Sequence, residues 1–284
     1  MIRALDPRYR SNLHALALSA AAALVLFLVS TDDGVRQAIS IGFRAGAATV
    51  GVWAMTRELD PDHPSSAGLA ASLSIPAWVV FGVPELMAIF ALVLTARVLL
   101  RPAGHAPHFV DYLVVFGVGV AAGRTGAGWL LGLVLAFAVA RDRGLEGEPA
   151  HGARLTALAI AAGTTGMAVQ SSDTSSGLGS LIPIIDPALP SIALIFVVVL
   201  GLLAAVTTPP YVPVSRADLS KAPLAPRRLQ SARRITLVGA ILVVLVTREP
   251  GLVVTAHLWI AWIAIALVAR RIVPLRLGPD TRRR

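Results

Sequence analysis

The sequence predicts an all-α fold, a polytopic transmembrane bundle of about ten helices with both termini cytoplasmic, and three observations predict it. Only 14% of the 284 residues are charged while 56% are hydrophobic, against about 25% charged in an ordinary soluble domain. The charges fall in short clusters between uncharged apolar runs, Ala15–Ser30 being the first. Those clusters are also unequal, strongly basic ones alternating along the chain with nearly neutral ones. In hydrocarbon every backbone polar group must be bonded within the chain, and a helix does this inside one segment.

Leu13–Ser30 is the first span, and the Thr31–Gly34 turn leads into a second over Val35–Met55 that carries Arg44 near its middle. The basic residues ahead of the first span resemble a secretory leader, but no small-residue cleavage site precedes Thr31, so it is read as a retained helix. The charged run Arg57–Pro64 follows. Ala67–Ala96 holds one charge, Glu85, just after Gly82-Val83-Pro84. Tyr112–Ala140 holds one, Arg124, inside Gly123-Arg124-Thr125-Gly126. Leu155–Val169 and Ser191–Val206 are further spans, separated by the Ser/Gly/Pro-rich stretch Ser171–Pro190. Ile235–Ala269 is apolar except for Arg248-Glu249-Pro250-Gly251 and His257.

Three of these stretches are about thirty residues long and are interrupted near the middle. A single helix of that length would reach about 45 Å, too long for an untilted span. Gly-Val-Pro, Gly-Arg-Thr-Gly and Glu-Pro-Gly are turn signals, so each is read as a hairpin of two short helices, which local membrane thinning must accommodate. The basic residues support this. With three hairpins, 21 of the 25 basic residues lie on the side of the termini. Treating the stretches as single spans would move Arg97, Arg101 and the C-terminal arginines outside, against the positive-inside rule.

The whole chain, 1–284, is then one integral membrane domain of the cell membrane, with 207–234 a basic, Pro-rich cytoplasmic linker between helices 8 and 9. Its net charge of +9, from 24 Arg and Lys221 against 16 acidic residues, points to anionic lipid headgroups rather than to nucleic acid. Ten spans are similar in number to drug/metabolite-type carriers, whose halves are inverted five-helix repeats. The hairpins here do not map onto one another under a five-helix shift.

No cysteine is present, which excludes disulfides, thiolate metal sites and cysteine nucleophiles. There is no Gly-x-Ser-x-Gly, no kinase motif set and no histidine box. Gly177-Leu178-Gly179-Ser180 lacks the lysine of a phosphate loop. Two constellations remain. Arg44 costs about 2.5–3.5 kcal/mol at mid-span, so it requires a partner or a watery cavity; Glu85 is the candidate, with Asp32 and Asp33 as alternatives. Arg44, Glu85 and Arg124 would line a solute pathway, or the first two form a structural ion pair. The spacings Gly42-x3-Gly46, Gly119-x3-Gly123 and Gly128-x3-Gly132 allow close helix packing around these charges.

The second constellation is Asp60, Asp62, His105, His108 and Asp111, hard or borderline ligands on one side that could hold a divalent metal. The plain reading has Pro61 ending a helix, Pro64 starting the next with Asp62 or Ser65 as cap, and the histidines as loop residues. His257, beside Trp259 and Trp262, reads as a satisfied interhelical hydrogen-bonder. Three functions fit: a small-solute or lipid-linked transporter without cofactor, a membrane enzyme acting on a phosphorylated headgroup, or a non-catalytic assembly subunit with a protein partner.

Overall fold

Turn chemistry and apolar runs together set the helix boundaries. In the structure, a computed structural model describing residues 10–105, 107–145, 152–171, 188–208, 213–217, 220, 222–247 and 249–276, ten α-helices follow one another. They are α1 Arg10–Val29, α2 Val35–Leu59, α3 Pro64–Phe81, α4 Leu86–Leu100, α5 Phe109–Ala122, α6 Gly128–Asp142, α7 Ala153–Ser171, α8 Ala188–Thr207, α9 Pro226–Thr247 and α10 Glu249–Arg276. A 3-10 turn at Thr31–Asp33 joins α1 to α2. Two predicted interruptions are helix–helix turns, Gly82–Glu85 and Gly123–Ala127, the latter with Gly123 N–H and Arg124 N–H still bonded back to Val120 and Ala121; at the third, α9 ends at Thr247 and α10 begins at Glu249, with Glu249, Pro250 and Gly251 inside the helix. Loop Ser171–Pro190, with Asp173 and Asp186, lies almost wholly outside the described residues, as do Arg248 and His151.

Five helices are long and apolar enough to cross a membrane: Ser11–Val29, Val35–Leu59, Pro64–Phe81, Pro226–Thr247 and Gly251–Ala269. Leu86–Leu100, Phe109–Ala122 and Leu194–Thr207 are apolar but shorter. The chain is an α-helical membrane protein. The α9–α10 hairpin is longer than its apolar run, because α9 begins at Pro226, inside the polar stretch, and α10 continues to Arg276. The stretch 207–234 is therefore only partly a linker, its last nine residues being the first turns of a helix.

The core lies where α2, α4 and α10 meet. Fifteen of the 25 residues of α2 are buried, among them Val52 and Met55. Ile89, Leu92 and Leu99 of α4 and Trp259 and Ile265 of α10 are buried with them. α1 packs on α2, α8 on α10, and α7 on α5 and α6. By contrast α1 and α8 turn large apolar side chains outward, Leu24 and Leu28 on one and Phe196 and Leu203 on the other, as a lipid-facing surface requires.

Small residues make the closest helix approaches possible. A Cβ on Gly42 would stand 2.7 Å from the Ala23 carbonyl of α1, and Ser19 Oγ donates to the Gly46 carbonyl at 2.9 Å. On the other side of the bundle Thr164 Oγ1 of α7 donates to the Gly119 carbonyl at 2.8 Å. A Cβ on Gly123 would meet the Thr164 carbonyl at 2.5 Å. The predicted small-residue spacings are thus used for packing. Gly123→Ala should cost about 1–3 kcal/mol by overpacking and lower the thermal midpoint in detergent, whereas Gly68→Ala, with nothing within 4 Å, should leave it unchanged.

Candidate functional site: an ion-paired end and a mid-span pair

The last turns of α2, α4 and α6 and the first turns of α9 meet at one end of the bundle. Their charges are bonded to one another across helices. Glu58 in the last turn of α2 accepts from Arg97 Nε of α4 at 2.8 Å. Asp142, the last residue of α6, is 1% exposed and takes three charged hydrogen bonds. Arg101 donates through Nε at 3.0 Å and Nη2 at 2.7 Å, and Arg228 of α9 through Nη1 at 2.7 Å. Arg228 Nη1 also reaches the Leu99 carbonyl at 2.9 Å. This forked geometry is the strong form of the arginine–carboxylate pair.

Backbone strain accompanies that contact. Arg101 caps α4 in the left-handed region, φ 50° and ψ 61°, its N–H bonded to the Arg97 carbonyl. A residue with a Cβ is rarely held there without compensation, and the double bond to Asp142 supplies it. One buried carboxylate between two buried guanidiniums leaves an excess positive charge in a dry place. The triad therefore holds α4, α6 and α9 together only while all three members are present.

The turn Asp60–His63 lies beside this triad. Asp60 Oδ1 is 2.8 Å from His63 Nδ1 and 3.9 Å from Arg233 Nη2. Arg233 Nε donates to the Leu59 carbonyl at 2.8 Å, and its guanidinium lies over the Trp262 ring, 5.7 Å from the centroid. Asp62 is not the cap of α3. His63 stands at the N-cap without a side-chain capping bond, its ring being paired with Asp60, and Pro64 takes the first turn, as its missing N–H allows. Asp62 instead accepts the backbone N–H groups of Val214 at 2.8 Å and Ser215 at 2.7 Å. It holds the α8–α9 connection against the α2–α3 turn. The connection is closed on itself by Ala217 N–H to the Ala222 carbonyl, and Ser220 N–H reaches Ala103.

Four of the five predicted metal ligands make structural bonds. Asp60 pairs with His63, and Asp62 holds the connection. His108 and Asp111 cap α5 reciprocally, Asp111 accepting the His108 N–H at 2.9 Å. His105 is exposed. Among the described residues no three His, Asp or Glu side chains lie close enough together to hold a metal ion.

Arg44 finds the partner expected for it. Its Nη2 lies 3.3 Å from Glu85 Oε1, the two side chains 35% and 39% exposed. Helix lengths explain the meeting. Arg44 is fifteen residues before Leu59 and Glu85 precedes the 15 residues of α4, so both stand about 22 Å from the ion-paired end at 1.5 Å per residue. α2 continues about 14 Å past Arg44. The α3–α4 turn therefore stops short of the end that α2 reaches, and the pair is half-exposed beneath it. The α5–α6 turn carries Arg124, exposed and without an ion pair among the described residues.

His257 departs from expectation. It is wholly buried in α10 and neither ring nitrogen makes a well-formed hydrogen bond. Sequence reading also passed over Glu58, Arg97, Arg101, Asp142, Arg228 and Arg233. The signal available for them was the pairing of lone acids, Glu58 and Asp142, in last turns that otherwise carry only arginine.

Compared with protein-family models, with curated proteins and with solved structures, the chain matches none. The class defined by its fold and charge arrangement is a polytopic α-helical membrane protein, and its activity has to be argued from its own residues.

Two outcomes test this site. Asp142→Ala should destabilise the protein by about 3–5 kcal/mol by removing the carboxylate shared by two buried guanidiniums. Asp142→Leu combined with Arg101→Leu and Arg228→Met should recover much of that loss in a thermal unfolding scan. At Asp62, burial opposes ionisation, but the Ser215 side chain, the Val214 and Ser215 amides and nearby His63 outweigh it and hold the carboxyl below its ordinary value. A depressed carboxyl stabilises the docked connection fully at neutral pH and loses that contribution as pH falls below about 4. Amide exchange of 213–217 should accelerate relative to the helices on acidification, and Asp62→Asn should show the faster exchange already at pH 7.

Proposed function

We propose that this chain is a small-solute transporter of the cell membrane, its ion-paired, arginine-rich end cytoplasmic and its pathway lined by Arg44, Glu85 and Arg124 from the opposite side. The observation that supports this most is the half-exposed Arg44–Glu85 pair, about 14 Å below the far end of α2 by helix rise. A wholly structural pair at that depth would gain most by complete burial, since hydrocarbon penalises charge. Hydrocarbon penalises an exposed charge, so in this reading the exposed part of the pair faces water rather than lipid, and a wetted Arg at mid-span can exchange its carboxylate for an anionic group on a solute. At the other end, Glu58–Arg97 and the Asp142 triad act as the closed gate of an alternating-access cycle, and solute release there requires α9 to part from α4 and α6. The transporter reading needs no cofactor. The basic tail and the α8–α9 connection then lie against anionic cytoplasmic lipid, in keeping with the positive-inside rule.

The test is a panel of small carboxylates, phosphate and sulfate presented to the purified chain in lipid nanodiscs. A ligand at about a hundredfold its Kd should stabilise the wild type by about 2.7 kcal/mol. Arg44→Leu/Glu85→Leu, which removes both partners and so leaves neither charge unpaired, should remain folded and lose the shift. A shift retained in that variant contradicts the pathway.

A further inference from the structure

A second feature lies at the ion-paired end, between α8, α9 and α10. Here a cleft of about 270 Å³ is lined on its polar side by Thr208, Gln230, Arg233, Arg234 and Trp262. Among the described residues no acidic side chain lines it. Asp60, behind Arg233 at 3.9 Å, balances part of that charge, while Arg234 is exposed and lines the cleft. Trp262 is 2% exposed, and its indole N–H is buried without a hydrogen-bond partner. A buried donor of this kind is costly unless a ligand or water meets it.

The cleft also has an apolar side and a definite depth. Val206 and Leu237 line it, and the surfaces of α8 and α9 beyond them expose Val199, Leu203, Val238 and Leu242. On α9 the polar first turns end at Arg234 and the apolar run begins at Ile235. The change from arginines to aliphatic side chains within one helical turn is the profile of a headgroup region passing into hydrocarbon.

From these observations we infer that the cleft is a binding site for one phospholipid with an anionic headgroup. Its phosphate is held by Arg234 and Gln230 with Arg233 behind them, and its acyl chain lies along Val206 and Leu237. The lipid would also cover the seam at which α9, carrying Arg228 and Arg233, meets α8 and α10. The shared chemistry is a phosphate group, which a free phosphate also carries; the apolar wall favours the lipid.

The experiment is native mass spectrometry of the full chain, delipidated in detergent and then offered equal amounts of phosphatidylglycerol and phosphatidylcholine. The expected result is retention of phosphatidylglycerol in preference to phosphatidylcholine. Arg234→Gln should reduce that retention roughly fivefold to tenfold, the worth of one interfacial cation. Arg143→Gln, removing an exposed arginine of the same end outside the cleft, should leave it unchanged. Trp262→Phe should weaken retention as well. Equal retention of both lipids, or equal effects of the Arg234 and Arg143 variants, would overturn the site. Release of the bound lipid by excess inorganic phosphate would overturn its assignment to lipid in favour of a soluble phosphate. Failure here leaves the Arg44–Glu85 pathway standing, because the two sites share no residue.

Discussion

The arrangement depends on one buried carboxylate. Asp142 ends α6 between two guanidiniums, Arg101 from the end of α4 and Arg228 from the first turns of α9. Three helices distant in sequence are fixed at one level by it, and the α8–α9 connection can then fold back onto the α2–α3 turn. A membrane bundle has little hydrophobic drive to hold helices together, since lipid tails are as apolar as the side chains facing them. Specific polar contacts and close packing of small residues must supply the register. Here the small residues bring α1 onto α2 and α7 onto α5 and α6, and the arginine–carboxylate bonds tie α2, α4, α6 and α9 together at one end.

Unequal helix lengths make the two ends different. α3 to α6 have 18, 15, 14 and 15 residues, against 25 in α2. Anchored at a common level, the shorter helices turn back before α2 ends. The charge on Arg44 is tolerable at mid-span because the Glu85 turn arrives at the same depth. The same shortness leaves the pair half-exposed, so one cause gives both the stability of the charge and its accessibility. A structural ion pair and a solute site are thus two uses of one geometry, and accessibility is what separates them.

The helix count and the Arg44–Glu85 contact were legible because each rests on a strong local cost, an unsatisfied backbone in one case and a buried charge in the other. The hairpin at Gly123–Ala127 was legible from its glycines. The ion-paired end was not. Arg141-Asp142-Arg143 reads as a solvated cluster that closes a span, and only tertiary structure shows Asp142 buried while its neighbours are exposed. Arg228 and Arg233 were hidden for a similar reason. The Pro-rich stretch before them reads as a linker, yet Pro226 opens α9 and puts both arginines on its buried face. Asp62 reads first as a helix cap and only second as a ligand, and its actual partners lie 152 and 153 residues away. His257 fails the expectation that a buried polar group is satisfied, and the structure offers no physical account of it.

The absence of cysteine allows a direct test of the central claim that the two ends differ in accessibility. Single cysteines at Phe81 and Arg124, beside the short-hairpin turns, and at Asp62 and Arg143, at the ion-paired end, can be labelled with a membrane-impermeant maleimide in oriented vesicles. A further cysteine at Met87, just past Glu85, reports on the depth of the wetted region. Phe81→Cys, Met87→Cys and Arg124→Cys should react from one side of the membrane and Asp62→Cys and Arg143→Cys from the other. Protection of Met87→Cys from both sides would contradict a wetted mid-span pair, and labelling of all positions from one side would contradict the two-ended arrangement itself.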